Sequence, residues 1–334
     1  MRAANSSIPQ SLAKDLAGPY AIKLKSLERR LPRFVDDSGE IGIRRFNDFF
    51  VVRLNNSNTR QAYAQAIGQF VGWCGGKGLS LSQINPETVS DYVSQHPGSA
   101  PTVKQHLAAL RMMFDWMVSG GVITINPARP VQGPRYAIRK GKTPVLDSSD
   151  ARRLLESIDT SNVIGLRDRA LIGVMIYSFA RVSAVVGMKG SDFYQSGRKC
   201  WFRLHEKGGK FHDVPAHHAV EVFVGEYVEF AGIQEEGQLP LFRSARGRTG
   251  QLTDRPMHRT DVLRMIKRRV KFAGFPENIC CHTFRATGIT AYLENGGTLE
   301  KAQAIAAHET PRSTQLYDRS NDRISLDEIE RIQL

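Results

Sequence analysis

Apolar residues recur at helical spacing along much of this chain, and they stop where Gly or Pro interrupts them. Tyr63, Ala66, Ile67, Phe70 and Cys74 form one stripe, with Asn58 as its candidate cap and Gly75-Gly76 as its stop. Val103, Leu107, Leu110, Phe114 and Met117 form a second, ended by Gly120-Gly121. Both stripes read as core faces of a small all-helical module over residues 41–128. A short helix from Asp147 or Ser148 to Ile158 and a longer apolar one from Asp168 to Phe179 open the second half. Between Lys199 and Pro215 the period changes to two, and two alternating runs flank Lys207-Gly208-Gly209-Lys210, which predicts a β-hairpin with a basic tip. Helices then resume over 216–231, 261–273, 283–294, 299–307 and from Pro311 onward. The fold class that follows is mainly α with a small β-sheet or hairpin.

Residues 1–40 lack a long apolar stripe and read as a mobile or weakly helical lead-in. Residues 129–143 are rich in Pro, Gly and cations, which suits a basic linker lying along a charged polymer, with residues 144–334 as a second domain. The last eleven residues carry a capping box at Ser325 and a short apolar stripe of Leu326, Ile329 and Ile332. A helix this short needs a surface to pack on.

Charge adds a partner to this picture. There are 46 Lys plus Arg against 33 Asp plus Glu, a formal net charge of +13, the electrostatic footprint of a protein that meets phosphodiester backbones. Arg60, Lys104 and Arg111 on the outer helix faces, Arg139, Lys140 and Lys142 in the linker, and Lys210 at the hairpin tip are the candidate phosphate contacts. The four cysteines show no metal-type or disulfide-framework spacing, and no run is long enough to cross a membrane, so a cytoplasmic, unexported protein without cofactor or metal is expected.

The candidate chemistry lies toward the C-terminus. His282 and Arg285, three apart on one helix, can address the same ligand, and Arg is the natural bidentate partner of a phosphate. Tyr317 carries a phenol that attacks poorly unless cations stabilise the phenolate. Arg181, His282, Arg285, His308 and a hairpin lysine would supply that positive field.

With those residues in order, the chain resembles the tyrosine recombinases, or phage-integrase-type recombinases. The resemblance rests on Ala180-Arg181-Val182-Ser183, Lys207 in the hairpin, His282-Thr283-Phe284-Arg285, Ala307-His308 and Leu316-Tyr317. It extends to Asn126-Pro127-Ala128 and Leu166-Arg167-Asp168-Arg169-Ala170-Leu171, and covers roughly residues 41–320. It implies a two-domain DNA clamp, an N-terminal helical core-binding domain joined to a mixed α+β catalytic domain. It also implies site-specific recombination of double-stranded DNA by four protomers, through a Holliday junction and without metal or ATP. Carried over, Tyr317 attacks the scissile phosphate to leave a 3′-phosphotyrosyl link, and Arg181 and Arg285 clamp its oxygens. Lys207, or its neighbour Lys210, protonates the leaving 5′-oxygen, His282 assists proton transfer and His308 hydrogen-bonds the phosphate.

Relatives of this kind are bacterial or borne by phages and plasmids, the cytoplasmic nucleoid is their place of action, and their C-terminal segment often docks on a neighbouring protomer. Two positions depart from the family pattern. Ala184 stands where an acid usually follows the first arginine by three residues, so either Arg181 is held with weaker support or another acid such as Asp192 substitutes, and Ala307 stands where Gly is usual. Ala184 leaves open a catalytically impaired DNA-binding regulator of the same fold, and similar tyrosine chemistry leaves open a type IB topoisomerase or telomere resolvase.

Overall fold

The computed structural model describes residues 34, 38–136, 141, 143–206, 209, 211–247, 249–318 and 330. The chain divides into two compact units, 1–137 and 138–334. The helices of the first are α1 (Gly39–Asp48), α2 (Ser57–Gly76), α3 (Pro86–Ser94) and α4 (Ala100–Ser119). The α2 cap is Asn56 rather than Asn58: the Asn56 carboxamide accepts from the backbone N–H of Asn58 at 3.0 Å and of Thr59 at 3.1 Å. Asn85 caps α3 in the same way, with Pro86 at the first helical position. Ile67, Phe70, Cys74, Leu107, Leu110, Phe114 and Met117 from the two expected stripes all lie in one core. Within it the Phe70 ring meets Phe34, Tyr92 and Phe114 edge-on.

That core also holds an imidazole. His106 is 4% exposed; its Nδ1 lies 2.8 Å from the Tyr92 hydroxyl and 3.1 Å from Nε2 of His96. Burial, and then the neighbouring His96, push His106 down to about 4. The unfolded chain, with an ordinary histidine near ~6.5, therefore binds a proton that the folded chain refuses between these two values. Stability from this group is complete above the unfolded value and declines as the pH falls toward 4. Its share of the loss between pH 7 and pH 5 is about 2 kcal/mol. Urea titrations at the two pH values should show a drop in wild type that exceeds the drop in His106→Gln by that amount; equal drops would exclude His106 as the source.

In the second unit the helices are α5 (Ser148–Glu156), α6 (Val163–Tyr177), α7 (Val182–Val186), α8 (His218–Ala231), α9 (Arg259–Phe272), α10 (Cys281–Glu294), α11 (Leu299–Ile305) and α12 (Pro311–Gln315). The central helix α6 starts five residues before its expected start, capped by the Asn162 side chain on Gly165 N–H at 2.9 Å. Apart from the half-buried Arg169, it is buried from Leu166 to Ile176, packing on α8 and α10. The α6–α10 approach is close: a Cβ on Gly288 would lie 1.9 Å from the carbonyl oxygen of Ile176, so only glycine fits there.

The expected hairpin is present as β2 (Lys199–His205) and β3 (Phe211–Pro215), paired with Phe202 opposite Val214. A further strand, β1 (Phe193–Ser196), extends it to an antiparallel three-stranded sheet in the order β1-β2-β3. A second, two-stranded sheet joins β4 (Arg243–Ala245) to β5 (Leu252–Pro256) and was not expected from the sequence. No helix among the described residues is long and apolar enough to cross a membrane.

Candidate active site

Arg285 is the fixed point of the site. It is 2% exposed, and its two terminal nitrogens donate to the carbonyl oxygens of Phe179 and of Ala306, the latter at 2.6 Å. Both acceptors sit at helix ends that turn through the left-handed region. Phe179, just past α6, has φ +53°, and Ala307, just past α11, has φ +46°. One guanidinium thus ties together the chain segments that lead into Arg181 and into His308.

The turn at Ala307 is of the kind that favours glycine. His308 N–H donates to Gln303 O and Ala307 N–H to Ala304 O, each at 3.1 Å, the paired bonds of a Schellman motif whose left-handed residue is usually glycine. Alanine holds that conformation at a cost, so Ala307→Gly is expected to raise the unfolding free energy by about 0.5–1 kcal/mol. Chemical denaturation checks this; a loss of stability would mean that the methyl group contributes packing instead.

His308, delivered by this turn, places Nδ1 2.9 Å from the hydroxyl of buried Thr314 and stacks on Tyr317, ring centroids 5.8 Å apart and planes 7° from parallel. Desolvation, followed by Arg285 and Arg181, pushes His308 down to about 4, so it is a neutral imidazole at pH 7. The Thr314 hydroxyl can donate to Nδ1, which leaves the Nε2 proton as a donor. Tyr317 follows α12, its N–H bonded to Thr314 O at 2.9 Å and its carbonyl accepting from the Thr290 hydroxyl of α10 at 3.1 Å.

His282, in the first turn of α10, keeps an exposed edge. Its basicity is lowered by desolvation, then by Arg285 and Arg181; with solvent at that edge, the two cations are the surer cause. Arg285 itself is lowered to about 10 by burial and by Arg181, with Tyr317 and Glu206 pulling the other way, and stays cationic at neutral pH. Arg181 caps α7 and faces a cleft of about 390 Å³ lined by Glu206, Phe211, His212, Ala307, His308, Glu309 and Ser313.

Asp192 does not support Arg181. Its carboxylate lies 3.2 Å from His205 Nε2 and accepts from Lys189 N–H at 2.8 Å, because the turn before β1 folds it back on its own sheet. The acid on Arg181 is Glu206, with Oε2 at 2.5 Å from one terminal nitrogen. His212 is a further residue that sequence reasoning passed over; it binds the Ile305 carbonyl at 3.0 Å and joins β3 to α11.

Lys207, Lys210, Arg139, Lys140, Lys142 and the C-terminal stripe of Leu326, Ile329 and Ile332 lie outside the described residues. Two of the candidate phosphate contacts have structural employment. Arg60 donates to Leu54 O at 2.8 and 3.1 Å, and Arg111 donates to the carbonyls of Ala128, at 3.1 Å, and Val131. Lys104 reaches Tyr136 O at 3.5 Å.

The Phage integrase family model matches residues 144–323, and the model for the phage integrase N-terminal SAM-like domain matches residues 43–121. Tyrosine recombinase XerD of Listeria monocytogenes serotype 4b is 28% identical over 285 residues, 81% of this chain and 91% of that protein. Tyrosine recombinase XerC of Salmonella typhi is 27% identical over 263 residues, 78% and 84% of the two chains. XerH site-specific recombinase bound to a palindromic difH substrate superposes with a TM-score of 0.66 at 17% identity, covering 94% of this chain and 96% of that one. A lambda integrase dimer on a COC′ core site gives 0.66 at 17% identity, covering 85% and 79%. These structural likenesses establish a shared fold.

Proposed function

The chain belongs to the phage integrase family, and on that premise we propose that it is a tyrosine-type site-specific DNA recombinase whose nucleophile is Tyr317. The observation that supports this reading is that Arg285 and Arg181 both bear on His282 and His308, while His308 stacks on the Tyr317 ring. A phosphodiester in the Arg181 cleft meets the Arg181 guanidinium and a neutral imidazole N–H of His308, with the buried Arg285 cation adding to the positive field. These are the groups that stabilise charge developing on non-bridging oxygens. The Tyr317 oxygen forms a bond to phosphorus as the bond to the 5′-oxygen breaks. The phenol proton passes to His282, which is neutral at pH 7 and able to accept it, and Lys207 or Lys210 protonates the departing 5′-oxygen. The phosphotyrosyl bond conserves the phosphodiester energy, so a 5′-hydroxyl from a second duplex can reverse the step.

The lead-in of residues 1–40, the core-binding domain of residues 41–128, the linker of residues 129–143 and the catalytic domain of residues 144–334 are part of the same proposal, with double-stranded DNA at specific sites as the partner. The net charge of +13 supports it. So does the SAM-like match to the first unit. Assembly into a tetramer on paired sites would draw on the C-terminal segment, residues 324–334. The cytoplasm is the compartment of such a reaction.

The test is denaturing capture of protein–DNA adducts from a fragmented genomic library, followed by sequencing of the trapped ends. Adducts through a 3′-phosphate at one recurrent sequence are the expected result. Adducts scattered without sequence preference would replace this reading with a type IB topoisomerase, hairpin ends with a telomere resolvase, and retention of DNA without adducts with a binding regulator.

A further inference from the structure

Arg181 stands without an acid on its own helix. Ala184, three residues on, is packed in the hydrophobic core, and Asp192 is committed to His205 and Lys189. The hairpin supplies the missing carboxylate. Glu206, at the end of β2, brings Oε2 to 2.5 Å from one terminal nitrogen of Arg181. The Glu206 side chain is 7% exposed against 34% for Arg181, so the carboxylate is largely withdrawn from water, while the guanidinium opens more fully on the cleft that both line. Glu206 also acts on Arg285, favouring its charged form, whereas Arg181 disfavours it. One carboxylate therefore offsets the mutual repulsion of the two guanidiniums that a phosphate must find side by side.

Resting on the reading of this cleft as the cleavage site, we propose that Glu206 is the positioning residue of Arg181, taking from the hairpin the orienting role that the helix position at Ala184 cannot fill. Held at one terminal nitrogen, the Arg181 guanidinium is drawn toward Glu206, and among the described residues its remaining N–H groups stay unengaged and available to a phosphate oxygen. Glu206 does not touch the reacting atoms; its effect passes through Arg181.

The experiment measures single-turnover adduct formation on a nicked suicide duplex carrying the captured site. It compares wild type, Glu206→Gln, Glu206→Asp, Arg181→Ala and the double variant Arg181→Ala/Glu206→Gln. Loss of the positioning carboxylate is expected to slow the adduct by about 10- to 100-fold, as misplacement of a phosphate-binding group does. Glu206→Asp, which keeps the charge, should recover most of the rate. The double variant should be no slower than Arg181→Ala alone, a non-additivity that a general structural role would not produce. Gln is isosteric with Glu, and a melting temperature within a few degrees of wild type reports an intact fold; if that variant melts early, the Asp variant and the double-variant comparison carry the test. A Glu206→Gln rate equal to or above wild type would overturn the proposal, as would equal slowing in the presence and absence of Arg181. Adducts from wild type and Glu206→Gln alike leave the recombinase reading standing and remove only this one, whereas no adduct from wild type removes the recombinase reading itself.

Discussion

Tyr317→Phe is expected to bind the target duplex as wild type does and to trap no covalent DNA adduct. The substitution removes one oxygen and leaves the supports of that position in place: the stack on His308, the backbone bond to Thr314 and the bond from Thr290 are all made by other atoms. Affinity for DNA comes chiefly from phosphate contacts spread over the protein, and losing a phenol hydroxyl does not alter them. What disappears is the proposed nucleophile, for which neither imidazole is expected to substitute: His308 is engaged by Thr314, and the proposal gives His282 the task of taking the proton. The paired measurement is a gel shift and a denaturing gel on the same suicide duplex. An adduct from the Phe variant at the wild-type level would assign the attack to another residue.

The largest effect on stability is expected at Asp168, far from any role in the chemistry. Its carboxylate is 0% exposed and is gripped from both sides. Arg167 donates to Oδ1 at 2.7 and 3.2 Å, and Arg269 of α9 donates to Oδ2 at 2.8 and 3.1 Å, with Arg268 3.5 Å away. Arg167 in turn reaches the Arg243 carbonyl of β4 at 2.8 Å. Asp168→Asn keeps the shape and removes the charge, leaving a buried guanidinium without a counterion. Breaking a buried pair from one side costs roughly 3–5 kcal/mol, a large share of a typical domain's stability. Urea denaturation of the variant should show that loss. A change under about 1 kcal/mol would mean that the arginines do not depend on the Asp168 charge.

The same cluster shows where the sequence misleads. The apolar spacing predicts a helix that begins at Asp168, yet Arg167 and Asp168 are interior residues in the fold, made tolerable by cations about a hundred positions away. Local spacing carries no trace of such partners. The short strands β1, β4 and β5 were missed for a related reason: three to five residues with weak alternation give too little periodicity to recognise, and pairing alone makes them strands. The stripes of α2 and α4 were legible because each side chain repeats the same message over four or five turns. Arg181, His282, Arg285, His308 and Tyr317 stand in the sequence as an ordered series of residue types, and their roles in the chemistry belong to the proposal. The carboxylate on Arg181 was not legible, since Glu206 lies 25 positions away and reaches it only through the turn of the sheet.

The burial of Arg285 has a bearing on the timing of catalysis. A guanidinium that stood in water would have to shed its hydration whenever a phosphate arrived, and the rearranging solvent would be part of every barrier. Here the backbone oxygens of Phe179 and Ala306 replaced that water when the chain folded. Dehydration of this cation happens once in the life of the molecule, at synthesis, and in the proposed reaction each strand cleavage would begin with it already complete.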